Sequence, residues 1–281
     1  MKSKATFGKH GYLDGASNWP IRKGCPMSNG AVNKALWWIC LVAAPLVLLA
    51  IELYHPAEFT EHPGMFEYLR QAQPPPYAHG HVALGYFGPD WWFTLHSLQT
   101  PLVGLVSVGL WLLVAQIDGA RDGVVAAVFA WLARVATFVF LIYYTALDSI
   151  GGTGMARAIV HANAMVSAGA ITAAQAGQLL DAVWKDPAVG GVGSTISLTG
   201  SYAVFFAALF AAIALGVTRR APLPAQVLLV LFGWQLEVSH TAMHGPIAFG
   251  LLTVVGLWIW FAQRRGAGAA MSDTAAASPS G

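Results

Sequence analysis

A chain of 281 residues that is 56% hydrophobic and only 10% charged falls well below the roughly one-quarter charged content of a soluble domain. With its positive mean hydropathy, it reads as an all-α integral membrane protein. A net charge of +2, with no basic cluster interleaved with aromatics, argues against a nucleic-acid partner. Cys25 lies in a polar stretch and Cys40 in the first apolar run, so neither a disulfide framework nor a CxxC site can be read.

Residues 1–32 are polar, with Lys2, Lys4, Lys9, Arg22 and Lys23 among them and Lys34 just beyond, which suits a cytoplasmic tail. Met27 precedes Ser-Asn-Gly and the first span, and is a second candidate start. The first apolar run, 35–53, is longer than a signal-peptide core and passes directly into Tyr54, His55 and Pro56, as expected of an uncleaved transmembrane helix. Residues 55–90 are rich in Pro, Gly, Tyr and His, including His79-Gly-His81, and read as a long external loop.

The second span, 91–116, starts in an aromatic belt and contains Pro101. His96, Gln99, Thr100, Val103 and Ser107 share one of its faces. The third, 124–147, carries Arg134, Thr137, Thr145 and Asp148 on one stripe. The Gly-rich run after Asp148 reads as a flexible break into a second long external segment with two short helices, 155–166 and 172–185, the latter N-capped by Thr172. The remaining spans are 194–217, 223–240 and 246–262. A tail from 264 to 281, dominated by Ala, Gly, Ser and Pro, cannot bury a core and is expected to be disordered.

Each run has about the length a bilayer crossing needs, and together they make a six-transmembrane-helix bundle with the lipid bilayer as its first partner. Arg121, Arg219, Arg220, Arg264 and Arg265 then share one side with the N-terminal tail. The positive-inside rule puts both termini in the cytoplasm, in a plasma membrane of the bacterial inner-membrane type. A homo-oligomer or a partner in a membrane complex is compatible with this reading.

That topology leaves eight of the nine histidines on the outer side. If 235–246 is helical, Glu237, His240 and His244 share a face, and with His96 they form the expected metal ligands, a His-rich set with one carboxylate suited to Zn, Fe or Cu. Haem held between His96 and a histidine of the fifth span is a variant. Glu52, Gln99, Asp148 and Arg134 are the second-shell or proton-relay candidates, with snorkelling toward the cytoplasmic face the bland reading of Arg134. His55, His62 and His161 read as ordinary interfacial polar groups, and His79 with His81 as a weaker metal pair.

Two other classes stand beside the metal or haem protein: a structural or accessory membrane component without a cofactor, and a small transporter or proton-relay protein. Ser239 and His240 are adjacent and so point apart, and neither a G-x-S-x-G elbow nor a nucleotide-binding glycine motif occurs. No reaction is assigned from the sequence.

Overall fold

The computed structural model describes residues 30–55, 88–241 and 243–276, with side chains up to 264. The loop histidines His62, His79 and His81, the N-terminal tail with Met27, and the last five residues lie outside them. All regular structure among the described residues is helical.

The first helix, α1, covers Ala31–Glu52 and contains a π-helical turn at Ile39–Ala43. Next comes α2, Pro89–Val114, with Pro101 inside it, then the one-turn α3, Gly119–Asp122. Helix α4, Val124–Leu147, leads to α5, Met155–Ser167, and then α6, Ala173–Trp184. The chain ends with α7, Thr195–Val217, α8, Leu223–Val238, and α9, His244–Ala276. Five helices are long and apolar enough to cross a membrane: Ala31–Glu52, Pro89–Val114, Val124–Ser167, Thr195–Val217 and His244–Arg264. Helix α8 is apolar but has 16 residues, about 24 Å at the α-helical rise. Helix α9 runs past the Arg264 and Arg265 pair at which the last span is expected to stop, and on into the tail expected to be disordered.

Two expectations change along the way. The Gly-rich stretch after Asp148 is a π-helical turn, Asp148–Gly154, so Val124–Ser167 is one continuous 44-residue helix where a flexible break is expected. At about 66 Å it far exceeds a hydrocarbon core of about 30 Å, and one end must stand beyond it. Helix α8 stops at Val238 because Ser239 is extended (φ −168°, ψ 149°). The Ser239 hydroxyl accepts the Thr241 N–H at 3.2 Å and pairs with the Thr241 hydroxyl at 2.9 Å, a local bond that competes with the helix ladder.

Helices α1, α2, α4, α7, α8 and α9 pack each against the next, and α9 closes back on α1. The α4–α7 seam is built from small residues, Ala126, Ala130 and Ala133 against Ala203, Ala207 and Ala211, all buried, which lets the backbones approach closely. Large core side chains such as Phe140, Phe232 and Phe249 fill the interior. A second apolar cluster joins Trp92 of α2 to Met155 and Ile159 of α5 and Leu180 and Trp184 of α6. Thr172 caps α6 in a reciprocal box with Gln175, worth about 1 kcal/mol.

Candidate metal centre

Helix α2 opens at Pro89, a favoured first helical residue, and its first turns place Trp92 and His96 one above the other. Trp92 donates its indole N–H to the Gly151 carbonyl at 3.2 Å. His96 Nδ1 lies 2.8 Å from the Trp92 carbonyl. A carbonyl can only accept, so Nδ1 carries the proton and Nε2 presents its lone pair. The π turn makes room for this: a Cβ on Gly152 would stand 2.3 Å from two atoms of the His96 ring.

Two further imidazoles meet that lone pair. His55, one turn past Glu52 at the end of α1, places its Nε2 3.3 Å from His96 Nε2. His240, in the turn after α8, has its ring 5.0 Å from that of His55 and 5.4 Å from that of Tyr144. One nitrogen from each of the three comes within 4.8 Å of the others. His55 and His96 are buried and His240 is partly so. This is a histidine cluster that can bind a metal ion. Two nitrogens on a tetrahedral ion, at the usual Zn–N length of about 2.0–2.1 Å, stand about 3.3 Å apart, which is the His55–His96 separation. Enclosure, and then the neighbouring His96, push His240 down to about 3, so at neutral pH it is in the uncharged form that ligates.

Beside the triad lie four buried polar side chains with atoms that have no hydrogen-bond partner: both carboxylate oxygens of Glu52, both amide atoms of Gln99, the Tyr144 hydroxyl and Oδ1 of Asp148. Gln99 is one turn after His96, and Tyr144 one turn before Asp148. Thr100 donates to the His96 carbonyl at 2.9 Å and approaches Asp148 Oδ2 at 3.5 Å. Gly245 brings the turn after His240 close to Glu52: a Cβ there would meet the His240 carbonyl at 1.8 Å and Glu52 Cβ at 3.3 Å.

The expected ligand set is thus brought together in part. His96 and His240 meet, and the third imidazole is His55. Glu237 and His244 stand outside the group of three, because the helical face assumed to carry Glu237, His240 and His244 ends at Val238. His244 Nδ1 instead faces Gln235 Oε1 at 2.7 Å, and Glu237 is only half-buried. Glu52, Gln99 and Asp148 line the same region. Arg134 does not, since its guanidinium donates to the carbonyls of Val114, Ala115 and Ile117 at 2.6, 3.1 and 3.3 Å, at the far end of α2.

His55 and Tyr144 are the residues sequence reasoning passes over. The available signal was spacing: His55 follows Glu52 by three residues, and Tyr144 precedes Asp148 by four, each on the face of a carboxylate already placed in the pocket. Comparison with family models, with curated proteins and with solved structures finds no match to this chain.

Proposed function

We propose that this chain is a six-span membrane metalloprotein in which His55, His96 and His240 hold one transition-metal ion, Zn, Fe or Cu, near the outer end of the bundle. The observation that carries the reading is the convergence of three imidazoles from α1, α2 and the turn after α8, with His96 Nδ1 tied to a carbonyl so that Nε2 is free to ligate. Helix α8 is the fifth of six crossings in chain order, short because its chain turns into the pocket at His240. The basic residues at 121, 219 and 220 lie at the opposite end of the bundle from the histidines, which favours a cytoplasmic position for that opposite end and for both termini, in a plasma membrane.

Three protein ligands leave a fourth position for water or substrate, the pattern of catalytic more than structural zinc sites. The buried carboxylates Glu52 and Asp148 add acidic groups to the triad's surroundings, which favours a metal-assisted reaction on a small molecule. Haem between His96 and His240 draws no support, because His55 stands against His96 Nε2 at 3.3 Å, where a porphyrin plane would have to pass. Glu237 and His244 remain candidates for the outer rim of the site, with His244 already oriented by Gln235.

Metal analysis of the full chain purified in mild detergent, together with the visible spectrum of its Co²⁺-loaded form, tests this. Near-stoichiometric Zn, Fe or Cu is expected, falling at least tenfold in His96→Ala and His240→Ala and unchanged in His161→Ala. Wild-type protein that is folded yet holds none of these metals and takes up no Co²⁺ would overturn the proposal and favour an accessory component without a cofactor.

A further inference from the structure

The four orphaned polar side chains pose a separate question from the imidazoles. Glu52 is fully buried with both oxygens unpartnered, and Asp148 is buried with one free oxygen. Among the described residues neither has an ion pair. Carboxylates inside a bundle ordinarily find a cation, because an uncompensated buried charge costs several kcal/mol.

Acidic residues alone would not make a site, but two independent observations point to a ligand. Tyr144, also buried, offers an unpartnered hydroxyl, one helical turn before Asp148 on the same face and with its ring 5.4 Å from that of His240. Gln99, fully buried, has neither amide atom engaged. These groups come from the end of α1, one turn of α2, and the junction of α4 with the π turn, and α2 packs against each of the others.

We infer that Glu52, Gln99, Tyr144 and Asp148 form a second, oxygen-lined cation subsite beside the imidazole triad, taking a hard divalent ion such as Mn²⁺ or Mg²⁺. Carboxylate, amide and phenol oxygens are the donors such ions prefer, in contrast to the borderline nitrogen set next door. Two carboxylates match a charge of two. A partly hydrated ion, the usual state of Mg²⁺ in proteins, gives every orphaned atom a partner: oxygens to the ion or its waters, and Gln99 Nε2 to a water. Glu52 and His55 are three residues apart on one helix end, and Gly245 joins the His240 turn to Glu52. The centre thus has two compartments of different donor chemistry served by the same elements.

The test uses the full chain in detergent and Mn²⁺ titration followed by the loss of the free-ion EPR signal. One Mn²⁺ per chain is expected in the wild type and also in His96→Ala/His240→Ala, where the Co²⁺ spectrum of the triad is lost. Glu52→Gln and Asp148→Asn are expected to weaken Mn²⁺ binding at least tenfold, and Tyr144→Phe at least threefold. Folded wild-type protein that binds no Mn²⁺, or Mn²⁺ binding that is equal in the wild type, Glu52→Gln and Asp148→Asn, overturns the subsite and leaves a protonated, water-filled pocket. If the carboxylate variants do not fold, Tyr144→Phe and Gln99→Met decide by the threefold criterion. Loss of the Co²⁺ signal reads the triad alone, so either compartment can fail without the other.

Discussion

The two ends of α2 bury polar groups in opposite ways. Around Val114 every buried charge is answered: Arg134 caps three carbonyls and stacks 4.9 Å over Trp131, while Arg220 reaches both oxygens of Asp122 at 2.9 and 3.0 Å and the Gln116 carbonyl at 3.2 Å. Around His96, about 27 Å away at the helical rise, two carboxylates, an amide and a phenol have atoms with no partner. Satisfied buried charge is how a bundle closes a helix end. Unsatisfied buried polar groups call for an explanation, and the cation subsite proposed above supplies one.

The largest expected effect breaks the satisfied end. Asp122→Ala strands the buried Arg220 guanidinium, and losing one partner of a buried pair costs about 3–5 kcal/mol. A thermal melt should show a strongly lowered transition, while metal content per folded chain stays unchanged. Any metal loss without a stability loss would mean that the two ends do not have the separate roles assigned to them.

Next comes the converse at the unsatisfied end. Gly152→Val puts a side chain where the His96 ring stands, since even a Cβ would be 2.3 Å away. The ring must swing off the Trp92 carbonyl and out of reach of His55. Metal affinity should fall about a hundredfold, the scale expected when the orientation of a ligating histidine is lost. Titration of the Co²⁺ spectrum measures it, and a Gly152→Val protein that binds like the wild type would exclude His96 as a ligand.

Much of the satisfied architecture was open to reading, and less of the other end. Apolar runs become helices wherever about twenty such residues must cover their own backbone groups, so among the described residues five helices are long and apolar enough to cross a membrane, and the apolar α8, with 16 residues, is shorter. Alternating the crossings leads one to expect His96 and His240 at the same end of the bundle, and the two do converge, together with His55. The partnership of His240 with His244 did not survive, because a single hydroxyl, Ser239, took over the backbone that the helix needed. His55 was passed over because a histidine at a helix end is ordinarily satisfied by water or backbone, and only the packing of α1 beside α2 turns it toward His96. Arg134 reads from the sequence either as a relay in a polar stripe or as a charge snorkelling toward the cytoplasmic face. Which end of the bundle that stripe serves depends on where its side chain reaches, and here it reaches the carbonyls at the close of α2.

Acidification gives a smaller effect, with a definite sign. His240 is held at about 3 in the folded chain against an ordinary 6.5. Between these values the unfolded chain binds a proton that the folded one refuses, so stability falls as pH drops through this window and is level above it. The slope is at most about 1.4 kcal/mol per pH unit, less in practice because His240 is partly exposed. The His240 share is read by comparison: between pH 7 and pH 5 the metal-free wild type should lose more stability than metal-free His240→Gln does. Equal changes in the two proteins would show that His240 is not shielded as described.

The smallest effect tests the boundary between the two kinds of burial. Thr100 touches both: its hydroxyl donates firmly to the His96 carbonyl at 2.9 Å and only marginally to Asp148 at 3.5 Å. Thr100→Val keeps the shape and removes the donor. If the hydroxyl serves the helix, as its shorter bond indicates, the variant should lose about 1 kcal/mol or less and shift metal affinity less than threefold. If it is instead what orients Asp148 for an ion, Mn²⁺ binding should drop tenfold with the melt unchanged. That result would move Thr100 from the packed, satisfied half of α2 into the site, and the line between the two would then run one turn further along the helix.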